Sequence, residues 1–158
     1  MKKILKVGAL IGFVGALAEV GYMSLHAWFG GGSAREVLSS VTYTFFGSEV
    51  AWSNTGILLG LAIHLGLGVI MGVAIYSLYL FVTGRFEALK KEGDPAIRFS
   101  YIMAYSMVAL FAVWAVNFYV ILPQVNSHFL QVVPPLLALP SKLSFGLLMG
   151  LMLSREAE

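Results

Sequence analysis

Four apolar stretches, each long enough to cross a bilayer as a helix, constrain this chain more than any other feature. They cover about residues 5–29, 56–81, 99–122 and 136–153. About 20 helical residues cross the roughly 30 Å hydrocarbon core, and lipid-exposed backbone is satisfied only in helices or closed barrels. With 59% hydrophobic and 11% charged residues, the chain is much more apolar than a soluble domain. The sequence predicts an all-α integral membrane protein, with residues 1–158 forming a single transmembrane domain.

The Lys and Arg residues predict how the chain is oriented. Eight of them flank the apolar stretches on one side, whereas Arg35 alone lies in a loop on the other. Such cations are retained in the cytoplasm, so both termini and the loop between the second and third spans are expected there. The first span is then an uncleaved signal anchor. The eight cations are Lys2, Lys3, Lys6, Arg85, Lys90, Lys91, Arg98 and Arg155.

The loop after the first span carries the signals of a further helix. Ser33 and Glu36 have the spacing of a capping box, with Ser33 as N-cap. Apolar residues then recur at helical spacing, which favours a helix over about 34–46 rather than an irregular loop. Such a helix would lie on the outer membrane surface. The predicted fold is therefore a four-transmembrane-helix bundle with a short amphipathic outer-surface helix between helices 1 and 2.

Glycines recur three or four residues apart in three of the spans. Residues at this spacing share one face of a helix, and small residues mark the faces on which membrane helices contact one another. These faces should therefore point into the bundle. The predicted packing glycines are Gly8, Gly12 and Gly15 in the first span, Gly60, Gly68 and Gly72 in the second, and Gly146 and Gly150 in the fourth.

Three ionisable residues lie on the same faces as these glycines. Glu19, His64 and Lys142 come from three different spans, and helix geometry places them at similar depth. Asn117, near the outer end of the third span, could join them. Each embedded charge costs roughly 2.5–3.5 kcal/mol, so pairing is expected. The cluster is either a structural ion pair bridged by His64, or a functional site such as a proton relay, ligand pocket or partner contact.

Cofactor chemistry is less favoured by the sequence. His26 and His64 could ligate a b-type haem, but they differ in depth, whereas axial ligands must oppose each other across one iron. Glu19 and His64 could bind a metal ion, although the ammonium of Lys142 would oppose a cation. No catalytic residue, cofactor or nucleic-acid partner is expected, since the glycines follow helical packing and the net charge is only +2.

About the last two thirds of the chain resemble a known family. A run of small and apolar residues from His64 to Tyr76 is followed by a helix ending at Pro123 and then by Pro134-Pro135. This pattern, over about the last two thirds of the chain, resembles the uncharacterised YagU-like inner-membrane proteins of bacteria. The resemblance implies a bacterial inner membrane. The family typically has additional histidines where this chain has Asn117 and Ser144, which puts a shared ligand site in doubt.

Three functions are compatible with these features. The first is a non-catalytic accessory or structural subunit of a larger membrane complex, such as a respiratory one, because the chain is short and has many small faces for docking. The second is a small oligomeric transporter or proton-conducting protein that uses the Glu/His/Lys cluster. The third is a haem- or quinone-binding redox subunit. The expected partners are the lipid bilayer and other membrane subunits or further copies of the chain.

Overall fold

The chain folds into helices throughout its described length. A computed structural model describes residues 2–30, 33–84 and 94–157. Within these ranges all regular structure is helical, and four segments are long and apolar enough to cross a membrane. They are α1 (Lys2–Gly30), α3 (Asn54–Thr83), the segment Pro95–Val125 that begins with α4 (Pro95–Val116), and α7 (Pro135–Ala157). The prediction of an all-helical chain with four such segments is confirmed.

Shorter helices connect the four long ones. Helix α2 (Ala34–Ala51) follows α1, and it continues past the predicted end at residue 46 through a non-helical Gly47, whose φ is +75°. Helix α4 runs into a π-helix (Asn117–Ile121) and then α5 (Leu122–Val125), and α6 (Ser127–Val132) precedes α7. The sequence analysis predicted neither the π-helix nor α6.

Polar side chains fix where several helices begin. Ser33 is the N-cap of α2, as predicted, although its hydroxyl accepts from the backbone N–H of Arg35, one residue earlier than in a capping box. Ser53 caps α3 by accepting from the Gly56 N–H at 2.9 Å. Asp94 caps α4 by accepting from the Ala96 N–H at 2.8 Å, and a proline occupies the first helical turn.

Helices α1 and α3 contact each other through glycines from both sides. A Cβ atom on Gly8 would lie 2.6 Å from Cα of Val73, and one on Gly12 would collide with the carbonyl of Gly68. From the other side, a Cβ atom on Gly72 would lie 2.5 Å from Cα of Gly12. The two backbones therefore meet directly, and this is the kind of close approach that small residues permit between membrane helices.

The remaining packing glycines contact other elements. Gly60 lies against the carbonyl of Leu38 in α2, so the first turns of α3 pack against α2. Gly146 and Gly150 face Met107 and Met103 of α4. Helix α7 also packs against α1. A buried core that includes Ile11, Leu110, Phe145 and Met149 links the two helix pairs.

Part of the orientation prediction falls on residues that the structure does not describe. Arg85, Lys90 and Lys91 lie outside the described residues, in the segment between α3 and α4. The orientation of the chain and the position of α2 relative to a membrane surface stay predictions.

Candidate functional site

The centre of the candidate site is a buried ion pair between α1 and α7. The Lys142 ammonium lies 2.7 Å from Oε1 and 2.8 Å from Oε2 of Glu19. Each residue is only 7% exposed. One turn away, the ring of Phe145 fills the space beside Gly15, where a Cβ atom would collide with it. Because Gly15 has no side chain, α7 approaches α1 closely enough for the amine to reach the carboxylate.

The start of α7 determines the depth of the amine. In the structure α7 begins at Pro135, so Pro140 lies inside the helix and Lys142 follows about two turns after the start. The hydroxyl of Ser144 donates to the Pro140 carbonyl at 2.9 Å. Lys142 therefore points into the protein rather than extending toward headgroups.

His64 of α3 completes the cluster that the sequence predicted. Its Nε2 lies 3.8 Å from Oε2 of Glu19, which is too far for a direct hydrogen bond. Nε2 is buried and has no hydrogen-bond partner among the described residues.

A cavity of about 560 Å³ opens beside this cluster, and we call it the lateral cavity. Its walls are residues 67–71 of α3 and residues from Ala112 to Ile121 of the α4 segment, and Glu19, His64 and Lys142 border it from within. Its rim is apolar and exposed, with Ile70 at 66% and Val116 at 50%. The cavity thus opens sideways, toward the surface that lipid would cover in a membrane.

Helices α3 and α4 are joined on one side of the lateral cavity. The Tyr105 hydroxyl donates to the carbonyl of Ile75 at 3.1 Å, and the rings of Tyr79 and Tyr105 lie 5.6 Å apart. Further along, these helices form the opposite walls of the cavity. The tyrosine contact therefore closes one end of the gap that the cavity fills.

Asn117 also lines the lateral cavity, together with the other three residues of the predicted cluster. It is the first residue of the π-helix. Such insertions into α-helices occur frequently at functional sites, because they displace side chains from the regular α-helical positions. Here the π-helix forms the part of the cavity wall that carries the polar side chain.

Two smaller cavities lie on the other flank of Glu19 and His64. The nearer one, the middle cavity, has about 40 Å³ and is also lined by Met23, Ser24 and Val37. The next, the end cavity, has about 140 Å³ and shares Met23 and Val37 with it. The end cavity is further lined by His26, Ser33 and Glu36. Glu19 and His64 thus stand between the lateral cavity and a row of smaller spaces leading toward the α1–α2 connection.

The structure separates the two histidines of the haem hypothesis and brings together the two residues of the metal hypothesis. His26 lines the end cavity and His64 the other two, so the two imidazoles do not face one common space. In the described ranges, no group of three or more His, Asp or Glu residues could hold a metal ion. Within these ranges, Glu19 and His64 therefore have no third His, Asp or Glu beside them that could complete a metal site. The Glu19 carboxylate is also already paired with the ammonium of Lys142.

Asn126 is a buried polar residue that the sequence analysis did not predict. Asn126 is 3% exposed, and its amide donates to the Ser40 carbonyl at 2.9 Å and to the Thr44 hydroxyl at 2.7 Å. Its side-chain oxygen accepts from the Phe129 N–H at 3.0 Å and so caps α6. The only available signal was an asparagine three residues before Phe129, which indicates a cap but not a contact with α2.

Comparison of the chain with protein-family models, curated proteins and solved structures gives no match. The chemistry of the site is therefore argued from its own residues.

Proposed function

We propose that this chain is a small transporter or proton-conducting membrane protein whose working centre is Glu19, His64 and Lys142. One observation carries the proposal. An imidazole nitrogen that has no partner in the described part of the chain lies 3.8 Å from a carboxylate already bound to an amine, with cavities on both sides. Embedded ionisable residues that face such spaces commonly mark ion and proton paths.

The cavities argue against a purely structural ion pair. A structural pair is stabilised most when its remaining hydrogen-bonding positions are filled and solvent is excluded. Here Glu19 lines both the lateral and the middle cavity, and so does His64. The centre can therefore be reached from two directions, an arrangement that conduction needs and that a structural pair does not.

The geometry supports a simple exchange at one carboxylate. A proton that arrives at Nε2 of His64 creates an imidazolium 3.8 Å from Glu19. This cation then competes with the ammonium of Lys142 for the same carboxylate. Imidazole is the side chain best suited to accept and release protons near neutral pH. A small rotation of His64 or Glu19 would let the imidazolium replace the ammonium of Lys142 as the partner of the Glu19 carboxylate. This exchange would carry positive charge across the cluster.

One argument for the rival function, an accessory subunit, is weakened by the packing of the glycines. The sequence analysis based it partly on small faces available for docking. The packing glycines are used inside the chain, against α1, α2, α3, α4 and Phe145. Among the described glycines within the four long helices, Gly21 and Gly66 have no neighbouring atoms within 4 Å.

The membrane arrangement is part of the proposal. We expect a four-helix bundle in a bacterial cytoplasmic membrane, with both termini inside and α2 on the outer side. The distribution of Lys and Arg along the sequence supports this orientation. The end cavity would then lie near the outer surface.

The decisive experiment measures proton flux in proteoliposomes with an internal pH-sensitive dye. Glu19→Gln and His64→Ala should each abolish a flux that the unchanged protein supports. Matched controls are Glu49→Gln, at an exposed position of α2, and His128→Ala, whose ring contacts Tyr43 and Trp52 instead. Full flux in both site variants, with normal helix content and elution volume, would disprove the proposal.

A second measurement addresses the accessory function. The protein is purified in mild detergent from its native membrane, and its partners are identified by mass spectrometry. A homo-oligomer or monomer supports the proposed function. Stoichiometric recovery of other membrane subunits, together with absent flux, would favour the accessory role instead.

A further inference from the structure

We infer that the lateral cavity binds an uncharged amphiphile through a hydroxyl headgroup, which enters sideways from the lipid between α3 and α4. The inference rests on the proposed function, in that it treats Glu19, His64 and Lys142 as a working centre. It adds the class of molecule that reaches this centre from the bilayer.

The shape of the lateral cavity fits one end of an amphiphile. Its volume of about 560 Å³ lies within the range of about 300–1,000 Å³ typical of small-molecule sites. The polar side chains stand at its inner end, whereas the rim consists of exposed apolar residues such as Leu67, Ile70 and Val116. A headgroup can therefore occupy the interior while an apolar tail leaves across the rim without passing a polar group.

The charges in the cavity select against a charged headgroup. The carboxylate of Glu19 and the ammonium of Lys142 neutralise each other at 2.7 Å. An anionic headgroup would have to displace Glu19 from Lys142, and a cationic one would have to displace Lys142 from Glu19. Either exchange leaves a buried charge without its partner, which is strongly unfavourable. An uncharged headgroup leaves the ion pair intact.

The unpartnered nitrogen and the carboxylate beside it together favour a hydroxyl. Nε2 of His64 has no hydrogen-bond partner among the described residues, and Oε2 of Glu19, which only accepts, lies 3.8 Å from it. An uncharged imidazole nitrogen either donates or accepts, depending on which ring nitrogen holds the proton. A hydroxyl can donate to Oε2 or Nε2 and can also accept from an N–H, whereas an ether or a ketone only accepts.

Asn117 gives the same hydroxyl a second contact. Its carboxamide lines the lateral cavity from the π-helix, opposite the α3 wall that carries His64. An amide N–H can donate to the hydroxyl oxygen while the hydroxyl proton is donated to Nε2. The two walls of the cavity therefore offer complementary partners to one alcohol group.

The test uses three photoreactive probes with the same diazirine-bearing long alkyl chain: a primary alcohol, its methyl ether and the corresponding carboxylic acid. The full-length protein is reconstituted in nanodiscs, and labelled residues are located by mass spectrometry. The alcohol should label residues 67–71 and 112–121 at least about fivefold more than the ether or the acid, as expected for one hydrogen bond. Non-photoreactive alcohol should compete for this labelling.

Two variants separate site binding from general lipid contact. Ala112→Phe places a ring in the lateral cavity and should abolish the selective labelling. The matched control Ala104→Phe changes an exposed residue of the same helix outside the cavity and should leave the labelling unchanged. His64→Ala should reduce the preference for the alcohol over its ether, since one of the two groups that hydrogen-bond to the hydroxyl is gone.

The inference is overturned if all three probes label the cavity walls equally, at the level of lipid-facing positions such as Phe13 and Leu78. That result leaves the proposed function intact provided that proton flux still requires Glu19 and His64. Conversely, selective labelling in a protein without flux would keep the binding site and remove the proposed conduction.

Discussion

The α1–α3 interface and the α4–α7 interface both use glycine, but in different ways. In the first, glycines meet backbone atoms: Gly8 faces Cα of Val73, and Gly12 and Gly68 lie against each other. In the second, glycines meet methionine sulfur: a Cβ atom added at Gly146 or Gly150 would lie 3.2 or 2.6 Å from the nearest Sδ. The first interface is rigid on both sides, whereas the second has a flexible side chain on one side.

This difference matters for the candidate site. Two of the three residues of the ion-pair cluster, Glu19 and His64, belong to the rigid pair α1–α3, and Lys142 belongs to the pair with the adaptable interface. The helix backbones that carry the acid and the imidazole are therefore fixed relative to each other, and the amine is on the helix with more freedom to adjust. Unbranched, polarisable methionine tolerates such adjustment well.

The largest effect is expected at the ion pair between Glu19 and Lys142, which joins the helix pair α1–α3 to the pair α4–α7. Lys142→Met leaves Glu19 buried without its partner and should cost about 3 kcal/mol of unfolding free energy. The double variant Glu19→Gln with Lys142→Met should regain most of that loss, because no unpaired charge is left. Reversible unfolding in mixed micelles measures both. Equal losses in the single and the double variant would show that the junction depends on shape and not on charge.

The next largest effect tests the rigid interface. Gly12→Ala places a methyl group against the Gly68 carbonyl, and neither backbone can move aside without separating α1 from α3. Overpacking of this kind typically costs about 1–3 kcal/mol. The same unfolding assay measures it. A cost below that of an alanine at Gly150 would reverse the comparison between the interfaces.

A smaller effect is expected at the adaptable interface. In Gly150→Ala the added methyl meets Sδ of Met103, which can rotate away, while Cα of the same residue stays at 3.4 Å. The loss should stay below about 1 kcal/mol, because a change of methionine rotamer absorbs the added volume. In a Met103→Ala background, Gly150→Ala should no longer lower the free energy of unfolding, because the sulfur that it meets is absent. If Gly150→Ala still lowers it there, the strain lies in the backbone and not in the methionine side chain.

The smallest effect is expected at a glycine outside both interfaces. A Cβ atom added at Gly66 of α3 would have no neighbouring atom within 4 Å, so Gly66→Ala adds helix propensity without a clash. The expected change lies between zero and about 1 kcal/mol in favour of folding. Loss of stability in the same assay would mean that another molecule or another copy of the chain covers this position.

Much of the fold follows from the sequence because lipid simplifies the problem. Long apolar segments must be helical in a bilayer, so the four spans were predictable to within a few residues at most ends. The glycine spacing predicted inward faces, and it did so from helix periodicity alone. Which glycine meets which helix did not follow: Gly60 contacts α2, whereas Gly68, two turns later, contacts α1.

The parts that were missed depend on tertiary contacts. The π-helix from Asn117 needs one extra residue per turn, and no local propensity marks that insertion. The contacts of Asn126 could not be predicted, because the residues that it bonds, Ser40 and Thr44, are more than 80 positions away in the sequence. The cavity beside the ion pair likewise depends on the angle between α3 and α4, which hydrophobic pattern alone does not determine.

The length of α3 has a consequence for how the protein fits its bilayer. Thirty helical residues extend about 45 Å, well beyond a hydrocarbon core of about 30 Å. Such hydrophobic mismatch is ordinarily relieved by tilting or by deforming the lipid. Here α2 covers the first turns of α3 through Gly56 and Gly60. Only one face of the excess length is thus covered by protein, since Leu58 in the same turns is 69% exposed, and tilting or lipid deformation has to relieve the rest of the mismatch.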